Sequence, residues 1–243
     1  MSRTGIDTMR HQQGISLIIV MIVLLLGSVL VLGSTRLGWL NEKMVGSHSD
    51  YQRAFAAAEA LLRDAERDIK GVQPDGVTPC NAGAAYVGCR NFGGGEPFFP
   101  EDDDDFDLIQ ARVAGGFNNC LRGICLPASV DMLTRDTWSN AASFASMTAG
   151  SGVTAVAARY GEFSGASPAA AGNPLLTAQA WYWVEVFRYS EAAALLAAVG
   201  PLPIPDRKHP YVYRITAYVQ GLKPGTRVWL RSVFVPYPQN QTS

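Results

Sequence analysis

The amino-terminal part of the chain contains a long apolar run that passes without a break into a helical pattern. Residues 15–35 include no charged side chain. A helix rising about 1.5 Å per residue would cover roughly 30 Å over this run, which is the thickness of the hydrocarbon layer of a bilayer. The sequence therefore predicts a membrane-spanning helix over 15–35 that continues as an amphipathic helix over 36–70.

The segment 36–70 has the periodicity of a helix with one buried face. Its apolar residues recur mostly at spacings of three and four, as in a helix that packs one side against a core: Leu37, Leu40, Met44, Tyr51, Phe55, Ala58, Leu62, Ala65 and Ile69. The charged residues are predicted to lie on the opposite, solvated face: Glu42, Lys43, Arg53, Glu59, Arg63, Asp64, Glu66, Arg67 and Asp68. Gly71 and Pro74 then supply a helix stop.

The residues before the apolar run are polar and contain Arg3 and Arg10. Basic residues before a first span favour retention of that end in the cytoplasm, which would place the rest of the chain outside the inner membrane. Three interpretations are open on these grounds. The first is a cleaved secretory signal, although residues 33–35 are a poor match to its cleavage site. The second is an uncleaved signal anchor, which the length of the run fits. The third is a peptidase cut between Gly14 and Ile15, which would leave the whole helix on the mature protein.

Residues 71–243 are enough for one domain with its own core. Three segments are rich in aromatic and β-branched residues that alternate with period two, as strands do: 178–188, 211–220 and 226–235. Residues 152–160 are predicted as a further strand. A long helix followed by an antiparallel sheet predicts an α+β domain, with a loop region over 71–150 and the sheet over 151–243.

Four cysteines fall in the loop region: Cys80, Cys89, Cys120 and Cys125. Four cysteines allow three pairings, which a sequence does not distinguish. Closeness along the chain favours Cys80–Cys89 and Cys120–Cys125, and an oxidising periplasm would permit both bonds. A zinc site is the alternative, although C-x8-C and C-x4-C are poor ligand spacings and no histidine lies near.

The run Glu101 to Asp105 is the strongest local charge feature. Within it, Asp102, Asp103, Asp104 and Asp105 are a weak calcium candidate, because hard cations take several oxygen ligands. The run lacks the loop glycine and the later glutamate of an EF-hand. A solvated acidic loop is the more common meaning of such a cluster.

The sequence contains no pattern of catalytic residues. The three histidines are isolated, and no G-x-S-x-G, Walker or H-E-x-x-H pattern occurs. A formal net charge of −1 does not indicate the excess of basic residues that is typical of proteins that bind nucleic acid. Trp181, Trp183 and Trp229 are candidates for a carbohydrate or partner surface, but their alternating strand positions favour packing within the sheet. We therefore predict neither an enzyme nor a cofactor.

Three amino-terminal segments have a recognisable pattern: QGISLIIV (13–20), NEKMVG (41–46) and QRAFAAAEAL (52–61). They resemble the amino-terminal region of the PilX-type minor pilins of the type IV pilus. The carboxyl-terminal stretch from 213–217 through 228–233 is similar to the closing strands of that family. The resemblance implies a type IV pilin-like fold, in which a long amino-terminal membrane helix packs on a carboxyl-terminal antiparallel sheet.

The resemblance also implies how the chain is processed and used. Residues 1–14 would be a class III prepilin leader, cut after Gly14 by a prepilin peptidase, with N-methylation of Ile15. Most pilins carry a glutamate five residues into the mature chain, where this chain has Ile19. By analogy with pilin-like proteins that lack this glutamate, Ile19 suggests a place at the filament tip.

The partners implied are other minor pilins, the major pilin, a tip adhesin and the inner-membrane assembly platform. The chain would reside in the bacterial inner membrane by a single span, with its carboxyl-terminal domain in the periplasm, and later in the pilus. Two alternatives stay open. One is a type II secretion pseudopilin of the same architecture, and the other is an uncleaved, membrane-tethered periplasmic binding or sensor domain.

Overall fold

The computed structural model describes residues 13–80, 88–90, 97–127, 140–189 and 204–238. Residues 1–12, most of the predicted leader, lie outside these ranges. The chain divides into two compact units, Met1–Ser49 and Asp50–Ser243.

Helix α1 runs from Gln13 to Lys70 and takes part in both units. Its unbroken course confirms the predicted long helix. It ends in a Schellman arrangement, because the N–H of Val72 donates to the carbonyl of Arg67 and Gly71 has a φ of 59°. Glycine adopts this left-handed conformation without the steric cost of a side chain, as expected from the predicted stop.

The second unit adds short helices and a sheet to the end of α1. The helices are α2 (Asp103–Val113), α3 (Ala141–Met147) and α4 (Leu175–Ala178). The strands are β1 (Cys120–Leu121), β2 (Ile124–Cys125), β3 (Ala180–Arg188), β4 (Tyr211–Gln220) and β5 (Arg227–Phe234). The three long strands confirm the period-two segments, and together these elements confirm the predicted α+β, pilin-like fold.

The strands lie in the order β1-β2-β3-β4-β5. Adjacent strands pair antiparallel except β2 and β3, which pair in parallel with Ile124 opposite Val184. The prediction of a strand over 152–160 is wrong. Residues 152–154 form a 3-10 turn, and Ala158 makes only an isolated bridge to Tyr182. The hairpin β1–β2, closed by a disulfide, occupies the place beside β3 instead.

The buried face of α1 follows the prediction only in part: Ala58, Ala65 and Ile69 are buried as predicted. In the second unit, the other buried positions of α1 recur at spacings of four, three, four, three and four: Asp50, Ala54, Ala57, Leu61, Asp64 and Asp68. The prediction that Asp64 and Asp68 are solvated is therefore wrong. Tyr51, predicted to be buried, is exposed. Alanines at the centre of this face let the helix backbone approach the sheet, so the buried stripe is shifted away from the larger side chains.

Both faces of the sheet are covered. Tyr182, Val184 and Ile215 lie in one core cluster with Ala57 and Leu61 of α1. On the opposite face, a second cluster contains Trp181, Trp183, Tyr218, Met147 and Val156. Burial on both faces explains why β3 is apolar at nearly every position rather than at every second one.

Candidate assembly site

The first unit exposes apolar side chains on every side of α1. From Leu17 to Leu32, the large apolar side chains are 53–71% exposed. Such a surface needs a lipid or protein environment, since burial of apolar area is the main gain in association. Within the described residues, α1 is the one helix long and apolar enough to cross a membrane.

The predicted processing residues lie at the start of this surface. Gly14 and Ile15 belong to the first turn of α1, which begins at Gln13. Ile19 follows one turn later and is 54% exposed. The helix therefore presents an isoleucine, and no carboxylate, at the position of the usual pilin glutamate.

Three aspartates on the buried face of α1 connect the helix to distant parts of the second unit. Asp68 has the most partners: its two carboxylate oxygens accept from Nε and Nη2 of Arg90 at 2.8 and 2.7 Å, and from the Tyr182 hydroxyl at 2.9 Å. Burial raises the pKa of Asp68, and the Arg90 guanidinium opposes this effect. A bidentate pair of this kind is the geometry in which a buried carboxylate stays ionised.

Arg90 is itself fully engaged in this contact. It donates to the carbonyls of Pro97 and Arg122 at 3.2 and 3.0 Å, and its guanidinium lies 3.7 Å from the ring centroid of Phe163. It directly follows Cys89, which forms a disulfide with Cys80. The ion pair therefore attaches the disulfide-bonded segment to α1.

Asp64 lies one turn earlier on the same face. Its carboxylate accepts from the N–H of Gly161 at 2.6 Å and from the Ser164 hydroxyl. Burial raises its pKa to about 6, although both hydrogen bonds oppose the shift. In the described residues no cation forms an ion pair with this carboxylate, so its direct partners are the two hydrogen-bond donors.

Asp50 binds the turn between β4 and β5. The N–H groups of Leu222 and Lys223 donate to its two oxygens at 3.0 and 2.9 Å. Burial opposes ionisation, but these N–H groups lower the pKa of Asp50. Gly221 leaves the necessary room, because a Cβ there would fall 2.4 Å from the carboxylate oxygen. The hairpin is thus attached to α1 at the first residue of the second unit.

The four cysteines form the two bonds favoured by their closeness. The structure contains Cys80–Cys89 and Cys120–Cys125, and no free cysteine occurs in the described parts of the chain. The second bond closes the β1–β2 hairpin, whose turn contains Gly123 at a φ of 80°. A Cβ on Gly123 would lie 2.4 Å from that of Ala158, so this tight turn packs directly on the neighbouring segment.

The acidic run has a structural role as the start of α2. The Asp102 carboxylate accepts from the N–H of Asp105 at 2.9 Å as an N-cap, and Asp103, Asp104 and Asp105 occupy the first turn. Carboxylates are favourable there because helix N–H groups point toward them. In the parts of the chain that the structure describes, no group of three or more potential metal ligands comes together.

The raised pKa of Asp64 predicts a pH dependence of stability. The folded chain holds this proton up to about pH 6, whereas the unfolded chain loses it near the ordinary value of 3.8. Stability should therefore fall as pH rises from about 4 to about 6, by roughly 3 kcal/mol if the whole shift is realised. Asp64→Asn should remove this contribution, since the amide can accept from Gly161 and donate to Ser164.

The measurement is the unfolding free energy of the full chain in detergent at several pH values, for the wild type and the variant. The difference between the two curves gives the contribution of Asp64 to the pH dependence of stability, because the other carboxylates are common to both proteins. Asp75→Asn is the matched control, because Asp75 accepts two local N–H bonds in an exposed turn. Curves of Asp64→Asn and the wild type that stay parallel between pH 4 and 6 would contradict the assignment.

A long apolar helix whose second half packs on a mostly antiparallel sheet is the architecture of a type IV pilin-like protein. Residues 13–63 match the family model described as PilX N-terminal. Residues 121–236 match the model described as Type IV pilus assembly protein PilX C-term. The chain belongs to the PilX family of type IV pilus assembly proteins. No curated protein and no solved structure matches it.

Membership confirms the resemblance seen in the sequence and places the chain among the minor pilins. This family is structural, and its members are membrane-anchored and interact with other components of the type IV pilus system. Residues 64–120, with the disulfide Cys80–Cys89 and helix α2, lie between the two matches. The three buried aspartates were missed by sequence reasoning, although their spacing with Ala54, Ala57 and Leu61 was visible.

Proposed function

We propose that this minor pilin primes assembly of the type IV pilus or caps its tip, acting by packing between subunits. The observation that supports this role best is Ile19. A subunit without the usual glutamate offers no carboxylate to the terminal amine of a neighbouring subunit. The first subunit of a filament has no subunit above it and does not need that contact.

The isoleucine also makes membrane residence easier. An aspartate at the centre of a membrane helix costs roughly 2.5–3.5 kcal/mol on insertion scales, and the chain avoids part of such a cost at residue 19, the fifth residue of the apolar run. The exposed apolar surface from Leu17 to Leu32 would first contact lipid and later the helices of other subunits. Partners in this scheme are the major pilin, other minor pilins, a tip adhesin and the inner-membrane assembly platform.

Processing follows the prepilin scheme in this proposal. A prepilin peptidase removes residues 1–14 by cutting after Gly14, and Ile15 is then N-methylated. Arg3 and Arg10 keep the leader in the cytoplasm. The membrane helix 15–35, its continuation 36–70, the disulfide-bearing region 71–150 and the sheet region 151–243 make up the mature chain. The last two lie in the periplasm, where disulfides form.

Replacing Gly14 with leucine should block the cut, since a glycine leaves the backbone at the junction open to a peptidase. The variant should retain residues 1–14 and support no pili. Intact mass and N-terminal sequencing of protein from native membranes provide the readout, with N-methylated Ile15 expected as the first residue of the wild type. Gly33→Leu is the matched control, because a Cβ at Gly33 meets nothing within 4 Å.

Two results would change the proposal. A wild-type chain that keeps residues 1–14 would favour the uncleaved membrane tether. Labelled protein distributed evenly along pili, rather than at their ends, would contradict the tip role. Deletion of the protein distinguishes the proposed minor pilin from a type II secretion pseudopilin. Loss of pili would support the minor pilin, and loss of protein secretion would support the pseudopilin.

A further inference from the structure

A tryptophan lies between two cations on one face of α1, just beyond the apolar run. Arg36, Trp39 and Lys43 are spaced by three and four residues, so they share one stripe of the helix. The Trp39 side chain is 55% exposed, and Nζ of Lys43 lies 3.8 Å from the centroid of its ring. We call Arg36, Trp39 and Lys43 the interfacial stripe.

The position of this stripe along the helix matches the edge of a bilayer. The uncharged run ends at Thr35. Trp39 lies about 6 Å further along the axis and Lys43 about 12 Å further, at about 1.5 Å per residue. The polar headgroup region extends roughly 5–8 Å beyond the hydrocarbon on each side. Trp39 therefore falls at headgroup depth when the apolar run fills the hydrocarbon layer. The Lys43 ammonium reaches back to the same depth, because its Nζ lies 3.8 Å from the centroid of the Trp39 ring.

The chemistry of the stripe fits a phospholipid. An indole is apolar over most of its surface and has one N–H donor, which suits the boundary between hydrocarbon and water. The guanidinium of Arg36 and the ammonium of Lys43 attract phosphate, and Lys43 also lies over the indole face. Glu42, the nearest carboxylate in sequence, is three residues from Trp39 and therefore borders the stripe on the Trp39 side. It lies about 100° from Lys43 around the helix, so the two cations still leave the stripe with an excess of positive charge.

We propose that the interfacial stripe binds the phosphate groups of anionic phospholipids and thereby sets the depth of α1 in the membrane. The occupant is lipid because the stripe continues the membrane-spanning surface on the same helix and carries charge of the opposite sign to phosphate. On entry into a filament, Trp39 and the two cations exchange these lipid contacts for contacts with other subunits. This inference does not depend on a place at the tip.

Depth-dependent quenching of tryptophan fluorescence tests the position. The full chain is reconstituted in vesicles of phosphatidylcholine and phosphatidylglycerol that carry a quencher at headgroup depth or near the bilayer centre. The headgroup-depth quencher should reduce emission more, and Trp39→Phe should remove this difference. Trp229→Phe is the matched control, because Trp229 is 39% exposed with the Arg231 guanidinium 5.6 Å from its ring but lies on β5.

Selective quenching tests the lipid. At equal mole fraction, brominated phosphatidylglycerol should quench Trp39 more strongly than brominated phosphatidylcholine. A double variant, Arg36→Gln with Lys43→Gln, should bring that ratio to about one, since each cation near an anionic surface contributes attraction. Arg231→Gln should leave the ratio unchanged.

Three outcomes would overturn the proposal. Stronger quenching from the bilayer centre would place Trp39 within the hydrocarbon. Headgroup quenching that persists in Trp39→Phe would assign the signal to another tryptophan. A wild-type ratio of about one would show that the stripe does not distinguish anionic from neutral lipid. None of these results depends on processing after Gly14. The proposed function and the lipid-binding proposal are therefore tested independently.

Discussion

Replacing Arg90 with methionine should lower the free energy of unfolding by about 3–5 kcal/mol, because it leaves a buried carboxylate without its partner. Asp68 and Arg90 have only 1% and 4% of their side-chain surfaces exposed. Methionine preserves much of the packing on Phe163 but cannot donate to Asp68. Denaturant titration of the full chain in detergent, followed by tryptophan fluorescence, measures the change.

A double variant separates the lost pairing from lost packing. Asp68→Leu combined with Arg90→Met removes both charges and should regain much of the stability lost by Arg90→Met, since replacement of a buried pair by apolar groups is often close to neutral. Arg63→Met is the control on the exposed side of α1 and should change stability by less than about 0.5 kcal/mol. Equal losses from Arg63→Met and Arg90→Met would contradict a special role for the buried pair.

Replacing Trp183 with alanine should cost about 3–5 kcal/mol, the usual range for removing a large buried aromatic side chain. Trp183 is fully buried in the cluster that contains Met147, Val156 and Trp181. The loss combines the transfer of the indole out of a packed core with the cavity that remains. The same denaturant titration measures this loss of stability. A cooperative unfolding transition in the variant would show that it still folds.

Trp229 provides the matched comparison for Trp183. It lies on β5 of the same sheet but is 39% exposed, so Trp229→Ala should cost less than about 1 kcal/mol. Similar losses at the two positions would mean that burial does not distinguish them. A small loss at Trp183 with impaired piliation would instead favour a partner surface on that face of the sheet.

The two halves of α1 contribute to function in different ways. The first half exposes apolar side chains that only lipid or other subunits can cover. The second half is a structural core element, and its three aspartates bind the β4–β5 turn, the segment around Gly161 and the disulfide-bonded segment at Arg90. These contacts therefore attach the sheet and the loops of the second unit to the carboxyl-terminal part of α1.

The elements predicted correctly are those whose signal is local. The apolar run, the helix stop at Gly71 and the three long strands depend on residues within a few positions of one another. The favoured disulfides also join near neighbours, with sequence separations of nine and five. The acidic run also contains a local signal for a helix start, because Asp102 and Asp105 have the three-residue spacing of an N-cap side chain and the N–H group that donates to it.

The sequence by itself determined that this chain has a membrane-length apolar helix continued by an amphipathic one, a carboxyl-terminal sheet and a likeness to minor pilins. Only the tertiary structure decided that three aspartates, Asp50, Asp64 and Asp68, belong to the buried face of α1. Asp64 meets Gly161 and Ser164 from 97 and 100 residues away, and Asp68 meets Tyr182 from 114 residues away. A local sequence pattern predicts that a charged side chain is solvated. Burial of an aspartate becomes favourable only when folding brings hydrogen-bond donors from distant segments to its carboxylate.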